Sequence, residues 1–183
     1  MGVFLIRKHH FWHILITLLL FALTSIASSA DTMPDLTNAV VNVKVSHDQT
    51  TGIYSYTYTI DITQTANVEI RAFMVDMDMP IFEPVKLESP NGWKVSKSPN
   101  GYIVWTSKVV ENVLTTGSSY SGFVIHSKTP PGQRKYKLVP IIPEGPGTPF
   151  YGKDCAIEDC PYTRKYWKYG MTTGPVVQTE NSR

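Results

Sequence analysis

From Tyr54 to Thr63 the chain alternates without a slip. Tyr54, Tyr56, Tyr58, Ile60 and Ile62 fall on one parity, and Ser55, Thr57, Thr59, Asp61 and Thr63 on the other. Period two sorts residues onto the two faces of a strand and would scatter both sets around a helix. The three tyrosines share their face with two isoleucines, so they are expected in a core. Upstream, Ala39, Val41, Val43 and Val45 alternate with Asn42 and Lys44, and a polar stretch from His47 to Gly52 reads as a hairpin loop. Downstream, Val68, Ile70, Ala72 and Met74 alternate with Glu69 and Arg71, but Phe73 and Val75 make the second face apolar as well. That pattern predicts a central strand covered on both sides.

Further along, Ser89-Pro90-Asn91-Gly92 and Ser98-Pro99-Asn100-Gly101 are turn sequences. Trp93 and Val95 share a strand face between them, and Tyr102 to Thr106 returns antiparallel. Ser121, Phe123 and Ile125 are expected on one face, opposite Gly122, Val124 and His126. Pro130-Pro131-Gly132 reads as a break, and Tyr136 and Leu138 mark a last core strand. Short strands separated by turns, with no amphipathic helix, predict an all-β fold: a single antiparallel β-sandwich of about seven strands. A closed barrel satisfies the same pattern. The antibody arrangement of two facing cysteines around a tryptophan is absent, so the immunoglobulin-like expectation takes its fibronectin-like or general form.

The two ends differ in composition. Arg7 and Lys8 precede an apolar run, Phe11 to Leu23, which gives way to small residues ending Ser28-Ser29-Ala30. This is the layout of a secretory signal over residues 1–30, and the run is shorter than the roughly 20 residues a spanning helix needs. The expected domain is 31–142. Residues 143–183 form an extension that opens with Pro-Glu-Gly-Pro-Gly-Thr-Pro and is expected to be irregular but packed on the domain, since it is rich in aromatics. Export predicts a secreted or periplasmic protein with no stable membrane span after cleavage. It also places Cys155 and Cys160 in an oxidising compartment, where a disulfide closing a small loop is expected, worth about 2 kcal/mol.

The whole chain has 17 Lys+Arg and 15 Asp+Glu, and the leader removes Arg7 and Lys8 to leave a neutral remainder. Nucleic acid is therefore not an expected partner. No nucleophile elbow is present, and the remainder has only His47 and His126. No His follows either Cys, which excludes a blue-copper site, and no zinc set can be completed. Asp76 and Asp78, with Asp61 or Glu83, offer oxygen ligands for calcium, but one Asp-x-Asp is a common accident and solvated loop carboxylates are the favoured account. No cofactor, metal or catalytic residue is assigned, and the expectation is a non-catalytic protein. The remaining candidate is Arg164, Tyr166, Trp167, Lys168 and Tyr169, a basic and aromatic stretch of the kind enriched where proteins bind partners.

The run Ser89-Pro90-Asn91-Gly92-Trp93, then Trp105, then Thr116-Gly117-Ser118-Ser119-Tyr120-Ser121-Gly122-Phe123, then Pro131-Gly132, resembles a pattern in exported bacterial β-sandwich proteins of unknown function. The resemblance implies the sandwich and an envelope or extracellular setting, and it brings no active site. The expected function is an exported interaction or structural module whose partner is a protein or polysaccharide of the cell envelope. The alternative is a carbohydrate-binding module, which requires a row of exposed aromatic rings.

Overall fold

A computed structural model describes residues 36, 38–63, 69–77, 82–108, 112–141 and 164–177. Alternation in the sequence becomes strand wherever it is sustained. Ten residues of β1 (Ala39–Asp48) pair with ten of β2 (Ile53–Ile62), from Ala39 opposite Ile62 to Asp48 opposite Ile53. Asp48 closes the turn: its carboxylate accepts from the Thr50 amide (2.9 Å) and the Thr51 hydroxyl (2.7 Å). Those bonds, the Thr51 hydroxyl first, hold the Asp48 carboxyl below its usual range. His47, expected in the loop, is instead on β1 opposite Tyr54, with the two rings stacked 4.1 Å apart.

The remaining strands are β3 (Ile70–Asp76), β4 (Lys86–Glu88), β5 (Trp93–Lys97), β6 (Tyr102–Ser107), β7 (Ser119–Ser127), β8 (Pro131–Pro140) and β9 (Lys168–Pro175). They form two antiparallel sheets, ordered β1-β2-β7-β4 and β5-β6-β3-β8-β9. This is a sandwich of two open sheets, so the barrel alternative does not hold. All the described residues belong to one unit, Met33–Arg183, and none of their helices is long and apolar enough to cross a membrane.

The described residues contain nine strands where about seven were expected, and both additions have a physical reason. Strand β4 has three residues between Pro84 and Pro90, too short to show a period, and it exists because Lys86, Leu87 and Glu88 pair with β7. Strand β9 lies inside the extension that was expected to be irregular. Its Gly-Met-Thr-Thr-Gly run carries no hydrophobic alternation, yet it pairs with β8 over its whole length. Gly170 is needed there: a Cβ would stand 2.5 Å from the Tyr136 ring on β8. Pro131, read as a break, opens β8, where a strand's first residue tolerates the missing N–H. Cys155 and Cys160, with their expected disulfide, lie outside the described residues.

Between the sheets the core is aromatic. Phe73 stacks on Trp105 (5.2 Å) and meets Tyr58 and Phe123 edge-on (5.5 and 5.6 Å). Each buried polar tip of Trp93, Trp105 and Tyr56 donates to a loop or strand carbonyl: to Asn112, Glu88 and Thr129 respectively. Strand β3 is the centre of the five-stranded sheet. Phe73 and Val75 face this core, while Ala72 and Met74 join an outer cluster with Val104, Val139 and Trp167. One expected face is wrong. The register of β2 against β7 slips between Tyr58 and Thr59, leaving Gly122 as a bulge with φ of +100°. Phe123 and Ile125 face the core as expected, but before the bulge it is Tyr120, not Ser121, that packs inward.

Candidate interaction surface

The C-terminal strand sets the candidate site. A short 3-10 turn, Arg164–Tyr166, precedes it and is closed by the Trp167 amide donating to the Arg164 carbonyl (3.1 Å). The structure divides the five sequence candidates. Trp167 is buried, covering the outer cluster of the five-stranded sheet. Its neighbour Lys137 lies between two rings, 4.0 Å from the centroid of Tyr102 and 5.7 Å from that of Trp167. Tyr169 is 53% exposed, its ring centroid 6.3 Å from that of Trp167. Arg164 is exposed, Tyr166 is half-buried beneath Lys165 (4.8 Å), and Lys168 is half-buried on the opposite face of β9 from Tyr169.

Sequence reasoning missed Met171, Lys135 and Lys137. Met171 is 53% exposed and two residues beyond Tyr169 on the same strand face. Lys135 and Lys137 stand opposite Met171 and Tyr169 on β8. Only strand parity in residues 168–175 would have revealed Met171, and only the β8–β9 register the lysines. The described charges of β8, β9 and the turn are all of one sign. Strands β8 and β9 carry Arg134, Lys135, Lys137 and Lys168 with no acidic residue, and the turn adds Arg164 and Lys165.

Beside this surface, the edge strands β1 and β9 flank a cleft of about 370 Å³. It is lined by Val41, Asn42 and Val43 on one side and Met171, Thr172 and Thr173 on the other. Among the described Phe, Tyr and Trp residues Tyr169 is the one that is exposed; Tyr54, Tyr102, Tyr120 and Tyr166 are half-buried and the others, Trp93, Trp105 and Trp167 included, are buried.

The other candidate chemistry lies on the outer face of the four-stranded sheet. His126 faces a carboxylate: Nε2 is 3.0 Å from Glu88 Oε1, and Nδ1 is 2.8 Å from Ser55 Oγ. Lys86 Nζ approaches the same Glu88 oxygen at 2.7 Å. Lys86 first, then His126, holds the Glu88 carboxyl below its usual range. A nucleophile, a base and a carboxylate are thus in line. Ser55, however, stands mid-strand on a sheet face, with β1 on one side and β7 on the other. Backbone N–H groups there serve the ladders and do not converge on an oxyanion. The arrangement ties β2, β7 and β4 together across the sheet.

Among the described residues, the carboxylates suggested for calcium belong to no group of three that could hold a metal ion. Asp61 is on the four-stranded sheet, accepting from Asn42 (2.6 Å) and from the Ser119 hydroxyl. Asp76 ends β3 on the other sheet, Glu83 pairs with Lys97, and Asp78 lies outside the described residues.

No family model matches the chain, and no curated protein matches it significantly. Among solved structures it is similar to an uncharacterized protein from Nocardia farcinica described as having an immunoglobulin-like fold. The two share 10% identity with a TM-score of 0.41, over 75% of this chain and 98% of that one.

Proposed function

We propose that this chain is an exported, non-catalytic interaction module of the cell envelope or extracellular space, and that it contacts its partner through the outer face of β9. The observation carrying this reading is the pair Tyr169 and Met171, each 53% exposed on one strand face, set among cations with no acidic neighbour on β8 or β9. Exposed aromatic and thioether side chains near a desolvated centre are the groups from which interfaces draw most of their affinity. The signal-like residues 1–30 support the exported setting. We read the sandwich as immunoglobulin-like from its own strand order. Strands β1-β2-β7-β4 follow the A-B-E-D order and β3-β8-β9 the C-F-G order, with β5 and β6 as an added hairpin.

The test immobilises the full-length protein and challenges it with envelope and culture-fluid fractions of the source cells. A double variant, Tyr169→Ala with Met171→Ala, runs beside a control double variant, Lys44→Ala with Thr57→Ala, on the outer face of the other sheet. The expected result is one defined component held by the wild type and the control and reduced by about tenfold or more in the β9 variant. Capture indifferent to the β9 variant contradicts the reading, as does a failure to capture anything.

A further inference from the structure

We infer that the edge of β9, which no other described strand pairs, takes up an extended, acidic segment of a partner protein as an added strand. This rests on the interaction reading above and specifies the partner's chemistry.

Among the described residues the sandwich has four edge strands, and three are protected against such pairing. Strand β4 is three residues long between two prolines. Strand β5 is five residues long, carries Lys94 and Lys97, and lies between Pro90 and Pro99. Strand β1 carries Lys44 at its centre. In β9 the run Tyr169 to Gly174 has neither a charge nor a proline, and among the described residues no strand pairs with its outer edge. An extended chain adding there would hydrogen-bond along that edge and set alternate side chains on Tyr169 and Met171.

Charge selects the occupant. A second copy adding through its own β9 would bring two hairpins of cations together, each lacking a carboxylate. An acidic strand is complementary.

The other face of β9 asks for the same chemistry. Thr172 lines the cleft and is 8% exposed, and its hydroxyl is buried without a partner among the described residues. Tyr58 Oη is likewise buried and unbonded, and lies 3.0 Å from where a Cβ on Gly174 would stand. Burial pushes the Tyr58 phenol well up, so it stays protonated and can donate. Arg134, directly opposite Thr172, is buried with its Nε donating to the Pro175 carbonyl (2.6 Å). The two donor hydroxyls, one on β9 and one reaching it from β2, call for an acceptor, and an Asp or Glu side chain of an added strand supplies it.

The experiment measures fluorescence anisotropy of a labelled nine-residue peptide titrated with the full-length protein. The peptide alternates Val with Asp, Thr, Glu, Thr and Asp. Two counterparts accompany it: one with Lys at the acidic positions, and one N-methylated at alternate residues, which removes edge hydrogen bonds. The acidic peptide is expected to bind, with both counterparts weaker by about tenfold or more. Thr172→Val is expected to weaken the acidic peptide by roughly fivefold to tenfold without lowering the melting temperature, because the free protein loses only an unbonded hydroxyl. Tyr58→Phe, which also removes one donor, is expected to do the same and serves if the first variant folds poorly.

Equal binding of the acidic and lysine peptides, tolerance of N-methylation, or indifference to both variants overturns the inference. So does a lack of binding by the acidic peptide. If any of these occurs while the captured component is still lost on Tyr169→Ala with Met171→Ala, strand addition falls and the interaction reading stands. If that capture is also indifferent, both fall.

Discussion

Replacing Trp105 with alanine is expected to lower the free energy of unfolding by about 3–5 kcal/mol, measured by denaturant titration. The side chain is fully buried where the two sheets meet. Its ring stacks on Phe73 at 5.2 Å and approaches Tyr58 and Phe123 at 6.0 Å each, so its loss removes a partner from three other core rings. Its Nε1 donates to the Glu88 carbonyl at 2.8 Å, which ties β4 to the opposite sheet. With alanine the cavity opens and that carbonyl loses its donor together, and the two losses add. Against the 5–15 kcal/mol that holds a typical domain, this is a large fraction. Trp105→Phe keeps most of the packing and separates the hydrogen bond, which is worth about 1 kcal/mol. A loss below about 1 kcal/mol for Trp105→Ala would contradict a core built around this residue.

The second large effect belongs to Trp167, and its contrast with Tyr169 carries the information. Trp167→Ala is expected to cost about 3 kcal/mol, and Tyr169→Ala to stay within about 0.5 kcal/mol. Both are aromatic, and they lie two residues apart. Trp167 is 6% exposed over Ala72, Met74, Val104 and Val139, whereas Tyr169 is 53% exposed. Trp167 therefore holds the start of β9 against the outer face of its sheet, and Tyr169 is left free to meet something else. Thermal unfolding of both variants checks this. Equal small effects would mean that β9 is not anchored on the sheet, and equal large effects that Tyr169 belongs to the core.

Much of the sandwich was legible because its strands alternate cleanly. The parity of Tyr54 to Ile62 gave the inner face of β2, and the doubly apolar run from Ile70 to Val75 marked β3 as central, buried on both faces. What was missed depends on contacts far apart in the chain. Strand β4 is too short to carry a period and exists through its pairing with β7. Gly122 shifts the parity of β7 by one residue, and a bulge is set by the partner strand as much as by its own residues. Strand β9 is held by pairing and by one tryptophan, with no alternation of its own to announce it.

The candidate site was half legible. The basic and aromatic composition of residues 164–169 pointed to the right stretch, but composition does not say which ring is inside. Trp167 is buried and Tyr169 is not, because the chain enters β9 between them and the cluster outside β3 lies beneath Trp167. Met171 was hidden in a Gly- and Thr-rich run, and Lys135 and Lys137 join the surface only through the β8–β9 hairpin register. In the same way, Glu88 and Ser55 reach His126 across 38 and 71 residues of sequence, a juxtaposition made by strand order alone.

The most direct test of the claim that β9 presents the contact surface is site-specific photo-crosslinking in the source cells. A benzophenone amino acid replaces Tyr169 in one strain and Thr57, on the outer face of the other sheet, in a second. The account predicts a discrete heavier adduct on irradiation from position 169 and none from position 57. An adduct from position 57 alone, or none from either, would contradict it.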